Sequence, residues 1–545
     1  MKTASSALTI ALLASGCAVG PDFMHPALPG INGYTETALP EKTAGADTTG
    51  GAAQTFASGQ NIPAQWWKLF SSDPLNALIE QALKENPDLQ AAEASLRQAQ
   101  ENVYAAEGLL LPAVDANAGA TREKFSPAAF GETGAPASLF TLYNASVSVS
   151  YGIDIFGGAR REIESLEAQA EAQRFQREAA YLTLTGNVVT AAVQEASLRA
   201  QVKESSDIID IEQHQLDILQ QQFTLGAVPK SAVLEQAATL AQAKTALAPL
   251  QKQLSQQHTQ LAALIGHFSS EKLEEDFNLA TLHLPEQLPV SLPSDLVNQR
   301  PDIQAAEAEL HAASAAIGVA TAAMLPQITL TGSYGWESAS FSKVVSPSTN
   351  VWNIGAGLVQ PLFHGGELLH QRRAAVAAYD KAFAQYRSTV LQAFKNVSDS
   401  LHALQYDADA LAAQDNAARA AKDSLDLVQA QFKTGAVSYL LLLDAERAYN
   451  QTRISLVQAQ AARFADTAAL FQALGGGWWN RGAAADKHEE KPPAISDAEA
   501  DRLCTYIPDE EEDHSDTPDD EESKPQPEDS KSPITPLIPE GEPII

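Results

Sequence analysis

Asn86-Pro87-Asp88-Leu89-Gln90-Ala91-Ala92-Glu93-Ala94 returns 214 residues later as Arg300-Pro301-Asp302-Ile303-Gln304-Ala305-Ala306-Glu307-Ala308. Extended without a gap to Pro112 and Pro326, the two stretches agree at 12 of 27 positions. A second match follows in the same order. Phe223-Thr224-Leu225-Gly226-Ala227-Val228 pairs with Phe432-Lys433-Thr434-Gly435-Ala436-Val437 at an offset of 209, which also carries Gly266 onto Gly475. The chain is two copies of one unit of roughly 210 residues, so any fold must be built twice.

Each copy starts with short helices. Asp73 reads as an N-cap with Pro74 in the first turn, and Asn86-Pro87 restarts the helix, which runs to about Glu107 and stops before Pro112. Beyond it the period drops to two. Val114, Ala116, Ala118 and Ala120 alternate with Asp115, Asn117, Gly119 and Thr121. After a loop containing Pro127 and Pro136, Tyr143, Ala145, Val147, Val149 and Tyr151 alternate with small polar residues. The second copy repeats the pattern with Ile328, Leu330, Tyr334 and Trp336, then Trp352, Ile354, Ala356 and Leu358. These are strands with one apolar and one polar face. Their expected length, about nine to eleven residues, suits a tilted strand crossing a hydrocarbon layer. Four strands cannot close a barrel, and open edges are forbidden in lipid, so other subunits must complete the ring. Three copies would give twelve strands. A small soluble hairpin layer under each helical pair is the competing reading of the same alternation.

The longest features are helical. Arg160 to Leu225 contains only Gly186 as a breaker, and Glu367 to Phe432 contains none. Val202, Ile209, Leu216 and Phe223 recur every seven residues, as do Leu411, Ala418, Leu425 and Phe432, which marks coiled-coil seams. A helix of 66 residues is about 100 Å long. The segments Ser231 to Ile265 and Pro87 to Glu107, stacked end to end, roughly match it, and the second copy repeats this with Pro301 to Ala323 and Ser438 to Leu474. The object this describes is a tube, open through a sheet and a helical wall.

Composition narrows the function classes. With 36 Lys and Arg against 68 Asp and Glu, the formal charge is −32, which would repel nucleic-acid phosphates. Cys17 and Cys504 cannot make a disulfide framework. No zinc-spaced His/Cys group, phosphate-binding glycine loop or nucleophile elbow is present, so no enzyme and no bound cofactor are expected. Residues 486–545 hold 20 acidic and five basic residues with ten prolines, a composition expected to be disordered. At the other end, Met1-Lys2, an apolar run from Ala7 to Ala14, and Ala14-Ser15-Gly16-Cys17 have the layout of an export signal. An ordinary signal with an incidental cysteine is the competing reading of this segment.

Several of these residues resemble one family. Cys17-Ala18-Val19-Gly20-Pro21-Asp22-Phe23, the twice-used Pro-Asp with Ala-Ala-Glu-Ala, the turns at Phe156-Gly157-Gly158 and Phe363-His364-Gly365-Gly366, and Phe432-Lys433-Thr434-Gly435 with Leu443-Asp444-Ala445 are similar to the bacterial outer membrane efflux proteins. The nearest group is the lipoprotein channels that serve resistance-nodulation-division pumps. The resemblance spans about residues 17 to 480. It implies a mixed α/β homotrimeric channel-tunnel: a 12-stranded transmembrane β-barrel with four strands per chain, continued by a long periplasmic α-helical barrel with an equatorial belt. It also implies a passive exit duct for drugs or other small toxic compounds, joined by a periplasmic adaptor to an inner-membrane pump. Ala14-Ser15-Gly16-Cys17 resembles a lipobox, so Cys17 is expected to carry a covalent lipid in the outer membrane. On this reading 1–16 is the signal peptide and 17–72 the anchored segment and part of the belt. Residues 73–270 are the first repeat with a hairpin at about 113–152, 271–294 a linker in the belt, 295–480 the second repeat with a hairpin at about 327–359, and 481–545 the tail.

The turns at Gly226 and Gly435 mark the far end of the tube, where a pump or adaptor could engage. Beyond the second turn, Leu440, Asp444 and Arg447 share one helical stripe. Solvated helix residues with a weak local ion pair would show the same spacing. By resemblance they form the periplasmic gate: Leu440 a plug, Asp444 a ring of negative charge, and Arg447 a tie between neighbouring helices. The first copy has Leu234 and Glu235 after its turn but no full triplet. Two other functions fit parts of the chain: a duct for a peptide or protein secretion system, and a lipid-anchored periplasmic coiled-coil adaptor or scaffold.

Overall fold

The computed structural model describes residues 18–27, 30–31, 33–126, 136–271 and 278–481. The signal segment with Cys17, the stretch 127–135 of the first hairpin's loop, part of the expected linker at 272–277, and the acidic tail with Cys504 lie outside the described residues. In chain order the elements are β1 (Thr55–Ser58), α1 (Asp73–Glu85), α2 (Pro87–Glu107), β2 (Ala113–Phe125), β3 (Ser138–Ile153), α3 (Gly158–Thr224) and α4 (Lys230–Leu264). The second copy follows as β4 (Gln287–Val290), α5 (Pro293–Gln299), α6 (Pro301–Ala322), β5 (Gln327–Ser338), β6 (Asn350–Val359), α7 (Glu367–Lys433) and α8 (Tyr439–Ala473).

Local chemistry sets the boundaries. The Asn86 side chain accepts from Leu89 N at 3.0 Å and caps α2, with Pro87 in the first turn. The cap of α1 is Ser72, whose hydroxyl accepts from Leu75 N, and not Asp73, which sits inside the first turn where its charge favours the helix dipole. Gly157 and Gly366 stand before α3 and α7 with φ of 74° and 89°, a left-handed backbone that glycine adopts without steric cost. Both long helices have 67 residues, about 100 Å.

The four-stranded sheet runs β2-β3-β5-β6, antiparallel throughout. Its register aligns Ala116, Val147, Tyr334 and Trp352 in one row, and Asp115, Ser148, Ser333 and Asn353 in the next. Paired residues share a face, so one face is apolar and the other polar. The strands have 13, 16, 12 and 10 residues, and the first hairpin is longer than its alternation suggested. Backbone pairing continues past the apolar rows through Arg122↔Thr141 to Phe125↔Ser138, where charged side chains end the alternation but not the ladder.

The helices interleave the two copies. α3 packs against α2 and α4 of its own copy and against α6 and α8 of the other, while α7 packs against α6 and α8. Residues Trp66, Trp67, Phe70, Phe464 and Phe471 centre the main core, next to the parallel pair β1–β4. One margin of this unit is α2, β2 and α4; the other is β6 and α7. Both margins are open.

Candidate functional site: the wall and its helical tip

The sheet leaves its apolar face to the surroundings. Trp352 is 68% exposed and Ile354 83%, with Val114, Val147, Leu330, Tyr334 and Leu358 also exposed. An uncovered apolar face of this extent marks a contact surface with lipid or protein. Tyr143, Tyr151, Trp336 and Trp352 all lie on it. Asp115, Asn117, Ser146, Ser148, Thr329 and Thr331 all lie on the opposite face, where Asn117 Nδ2 donates to Ser148 Oγ at 3.1 Å. Among the described residues no helix is long and apolar enough to cross a membrane.

At the other end, the two helix-turn tips repeat each other in detail. Gly226 and Gly435 have φ of 73° and 74°. Gly226 N donates to Phe223 O and Ala227 N to Gln222 O; Gly435 N donates to Phe432 O and Ala436 N to Gln431 O. This is the Schellman arrangement twice, and it satisfies the last carbonyls of α3 and α7. Ser438 then caps α8 by accepting from Leu441 N.

Leu440, Asp444 and Arg447 emerge together on the exposed side of α8, and Leu440 is 56% exposed. Asp444 makes no hydrogen bond or ion pair among the described residues. Arg447 Nη2 donates to Thr239 Oγ1 of α4 at 2.8 Å, a bond between the two copies. Burial raises the Glu212 carboxyl, and a hydrogen bond from Gln236 and the Arg447 guanidinium offset only part of this.

Beneath this stripe lies a buried polar cluster that sequence patterning missed. Gln236 of α4 donates through Nε2 to Glu212 Oε2 at 2.5 Å and to Glu212 O at 2.9 Å, and accepts from the Tyr439 hydroxyl through Oε1. Glu212 is 2% exposed, Gln236 fully buried and Glu446 5% exposed. Burial pushes the Glu446 carboxyl up to about 7, with the Glu212 charge adding to the effect. Burial likewise raises the Tyr439 hydroxyl. The visible signal was only that polar residues sit at seam spacing: the buried stripe of α3 runs Gln201, Ser205, Ile208, Glu212, Leu216, Leu219. Of the apolar heptad positions expected on α3, Leu216 is buried, while Phe223 is exposed.

No cluster of three or more His, Cys, Asp or Glu among the described residues is arranged to hold a metal ion. The N-terminal strap is tied to the sheet end of the long helices. Val19 N donates to Phe156 O at 3.0 Å, Arg161 Nε donates to Val19 O at 3.2 Å, and Arg161 Nη2 donates to Asp22 Oδ1 at 2.6 Å.

A duplicated mixed α/β unit with a small two-faced sheet and paired helices of about 100 Å defines the class of outer-membrane factors. The sequence pattern described as "Outer membrane efflux protein" matches residues 78–267 and 292–476. The chain is 31% identical over 418 residues to the pyoverdine export outer membrane protein OpmQ of Pseudomonas aeruginosa PAO1, covering 76% of this chain and 87% of the relative. It is 28% identical over 472 residues to the cation efflux system protein CusC of Escherichia coli K12, covering 86% and 98%. Its fold resembles the open-state structure of the Neisseria gonorrhoeae MtrE outer membrane channel, with a TM-score of 0.72, 27% identity, and coverage of 85% and 99%. The chain belongs to the outer membrane efflux protein family, and it is an outer-membrane exit channel of an efflux pump.

Proposed function

We propose that three copies join margin to margin into a passive duct that carries drugs or other small toxic compounds across the outer membrane. The observation that carries this reading is the sheet itself: four paired strands with two free edges, an exposed apolar face and a polar one. In lipid such edges must be paired, and four strands from each of three chains pair them all in a twelve-stranded barrel. The apolar face then meets lipid and the polar face lines the bore. An inner-membrane resistance-nodulation-division pump and a periplasmic adaptor supply the cargo and engage the tips around Gly226 and Gly435. The names of the relatives, one exporting pyoverdine and one cations, favour small cargo over secreted protein.

In the same reading Cys17 carries the lipid anchor. The strap supports it, because Ala18 lies against Gly157 at the junction of β3 and α3, where the apolar face ends. At the far end, Leu440, Asp444 and Arg447 constrict the tube when three chains bring their α8 helices together. The bond from Arg447 to Thr239 holds α8 against the other copy.

Planar-bilayer conductance on the purified full-length protein, with its mass in detergent, tests the duct. A discrete conductance and a mass of three chains are expected, whereas a monomer without channels refutes it. Substituting Asp444→Ala or Arg447→Ala should raise single-channel conductance, by removing the ring charge or the tie. Unchanged conductance in both variants removes these residues from the gate.

A further inference from the structure

We propose that Glu446, buried within electrostatic reach of Glu212 where α8 meets α3, is a proton-binding site that couples closure of the tip to the acidity of the surrounding water. The inference rests on the reading of this tip as the gate.

The geometry separates the two carboxylates. Burial raises the Glu212 carboxyl too, but two partners favour its negative charge and offset part of that rise: the Gln236 amide at 2.5 Å, and the guanidinium of Arg447, which is itself fixed on Thr239. Glu446 has neither, and its Oε2 is buried with no hydrogen-bond partner among the described residues. A second anion in that position is desolvated and faces a first one. The other charges around the site do not relieve it. From α4, Glu235 adds negative potential at Tyr439. On α7, in the stretch where Lys422 lies 5.9 Å from the Tyr449 ring, Lys422 pairs with Asp426 at 2.9 Å and Asp423 is a further carboxylate. On α8 itself, Asp444 is exposed and Tyr439 is neutral, its proton spent on Gln236.

The sign follows from linkage. In the packed tip the Glu446 carboxyl holds its proton up to about pH 7, against an ordinary value of 4.5. When the tip opens and water reaches Glu446, that value returns toward the ordinary one. The packed form therefore binds the extra proton: acid favours closure, and deprotonation above neutrality favours opening. Between pH 8 and pH 6 the closed form gains about tenfold per protomer.

Open probability of the full-length channel in planar bilayers at pH 6, 7 and 8 provides the test, with Glu446→Gln as a permanently neutral mimic. Wild type should conduct less at pH 6 than at pH 8, and E446Q should stay at the low level throughout. A flat wild-type profile over this range overturns the proposal, as does an E446Q channel that keeps the wild-type response. Amide hydrogen exchange in residues 439–449, corrected for intrinsic pH dependence, gives a reading independent of conductance. It should be slower at pH 6 than at pH 8 in wild type and insensitive to pH in E446Q. If exchange responds while Asp444 and Arg447 variants leave conductance unchanged, the gate assignment fails and the proton site stands. If exchange and conductance are both flat in wild type, the proton site fails.

Discussion

Asp466 on α8 faces Asp407 on α7 beside the buried guanidinium of Arg463, which donates to Leu404 O at 2.7 Å and to Gln54 Oε1 at 2.8 Å. Burial, followed by the hydrogen bond and charge of Asp407, pushes the Asp466 carboxyl well above the ordinary carboxylate range, and Arg463 offsets only part of this. A folded-state value above the unfolded one means that the fold holds the proton. The stabilisation is full in acid and is lost as pH climbs through the folded value. Thermal unfolding of the purified protein should therefore shift to lower temperature from pH 6 to pH 9, and Asp466→Asn should flatten that slope. An equal slope in the variant would place the titration elsewhere. Such residues were not legible in the sequence. A Glu or Asp on a long Ala- and Gln-rich helix reads as solvated, and what buries Glu212 or Glu446 is a helix from the other copy. Leu440, Asp444 and Arg447 were legible because i, i+4, i+7 spacing fixes a shared stripe whatever packs beside it.

At the scale of elements, period-two alternation marked all four strands and long runs with Gly186 as the one breaker marked both long helices, because each follows from local backbone geometry. Strand length was less legible. The apolar rows end near Arg122, yet hydrogen bonding carries the hairpin to Phe125, since a ladder needs backbone and not side-chain polarity. The strap shows the opposite dependence, on shape. A Cβ at Gly318 of α6 would stand 2.7 Å from Val19 O and 2.8 Å from the Arg161 side chain. Neither neighbour has room, because Val19 N is already bonded to Phe156 O and Arg161 to Asp22 and Glu164. Gly318→Val should thus release the strap, at a cost of about 1–3 kcal/mol for overpacking. Limited proteolysis should cut residues 18–27 faster in the variant while far-ultraviolet circular dichroism stays the same. Equal protection would mean that Phe23, stacked on His311 at 4.4 Å, holds the strap without the glycine contact.

For the whole molecule, the decisive feature is that one chain's margins differ from each other: α2, β2 and α4 on one side, β6 and α7 on the other. Contact between unlike margins is heterologous, and heterologous contacts close into a ring when the rotation per subunit divides a full turn. Within the chain α3 packs against helices of both copies, whereas the helices packed against α7 are α6 and α8 of its own copy, so a ring would give α7 what α3 already has. The same docking would join β6 to the next chain's β2 and remove both free edges at once. Cysteines placed singly along 114–120 and along 352–358, combined in one chain without Cys17 or Cys504 competing, should form disulfides between chains only where register brings a pair within bonding distance. On a denaturing gel the products should climb to three chains and stop, because a closed ring of three offers no further edge. A ladder continuing past three would set a larger ring or an open polymer, and the absence of any product across the whole scan would mean that β2 and β6 do not meet.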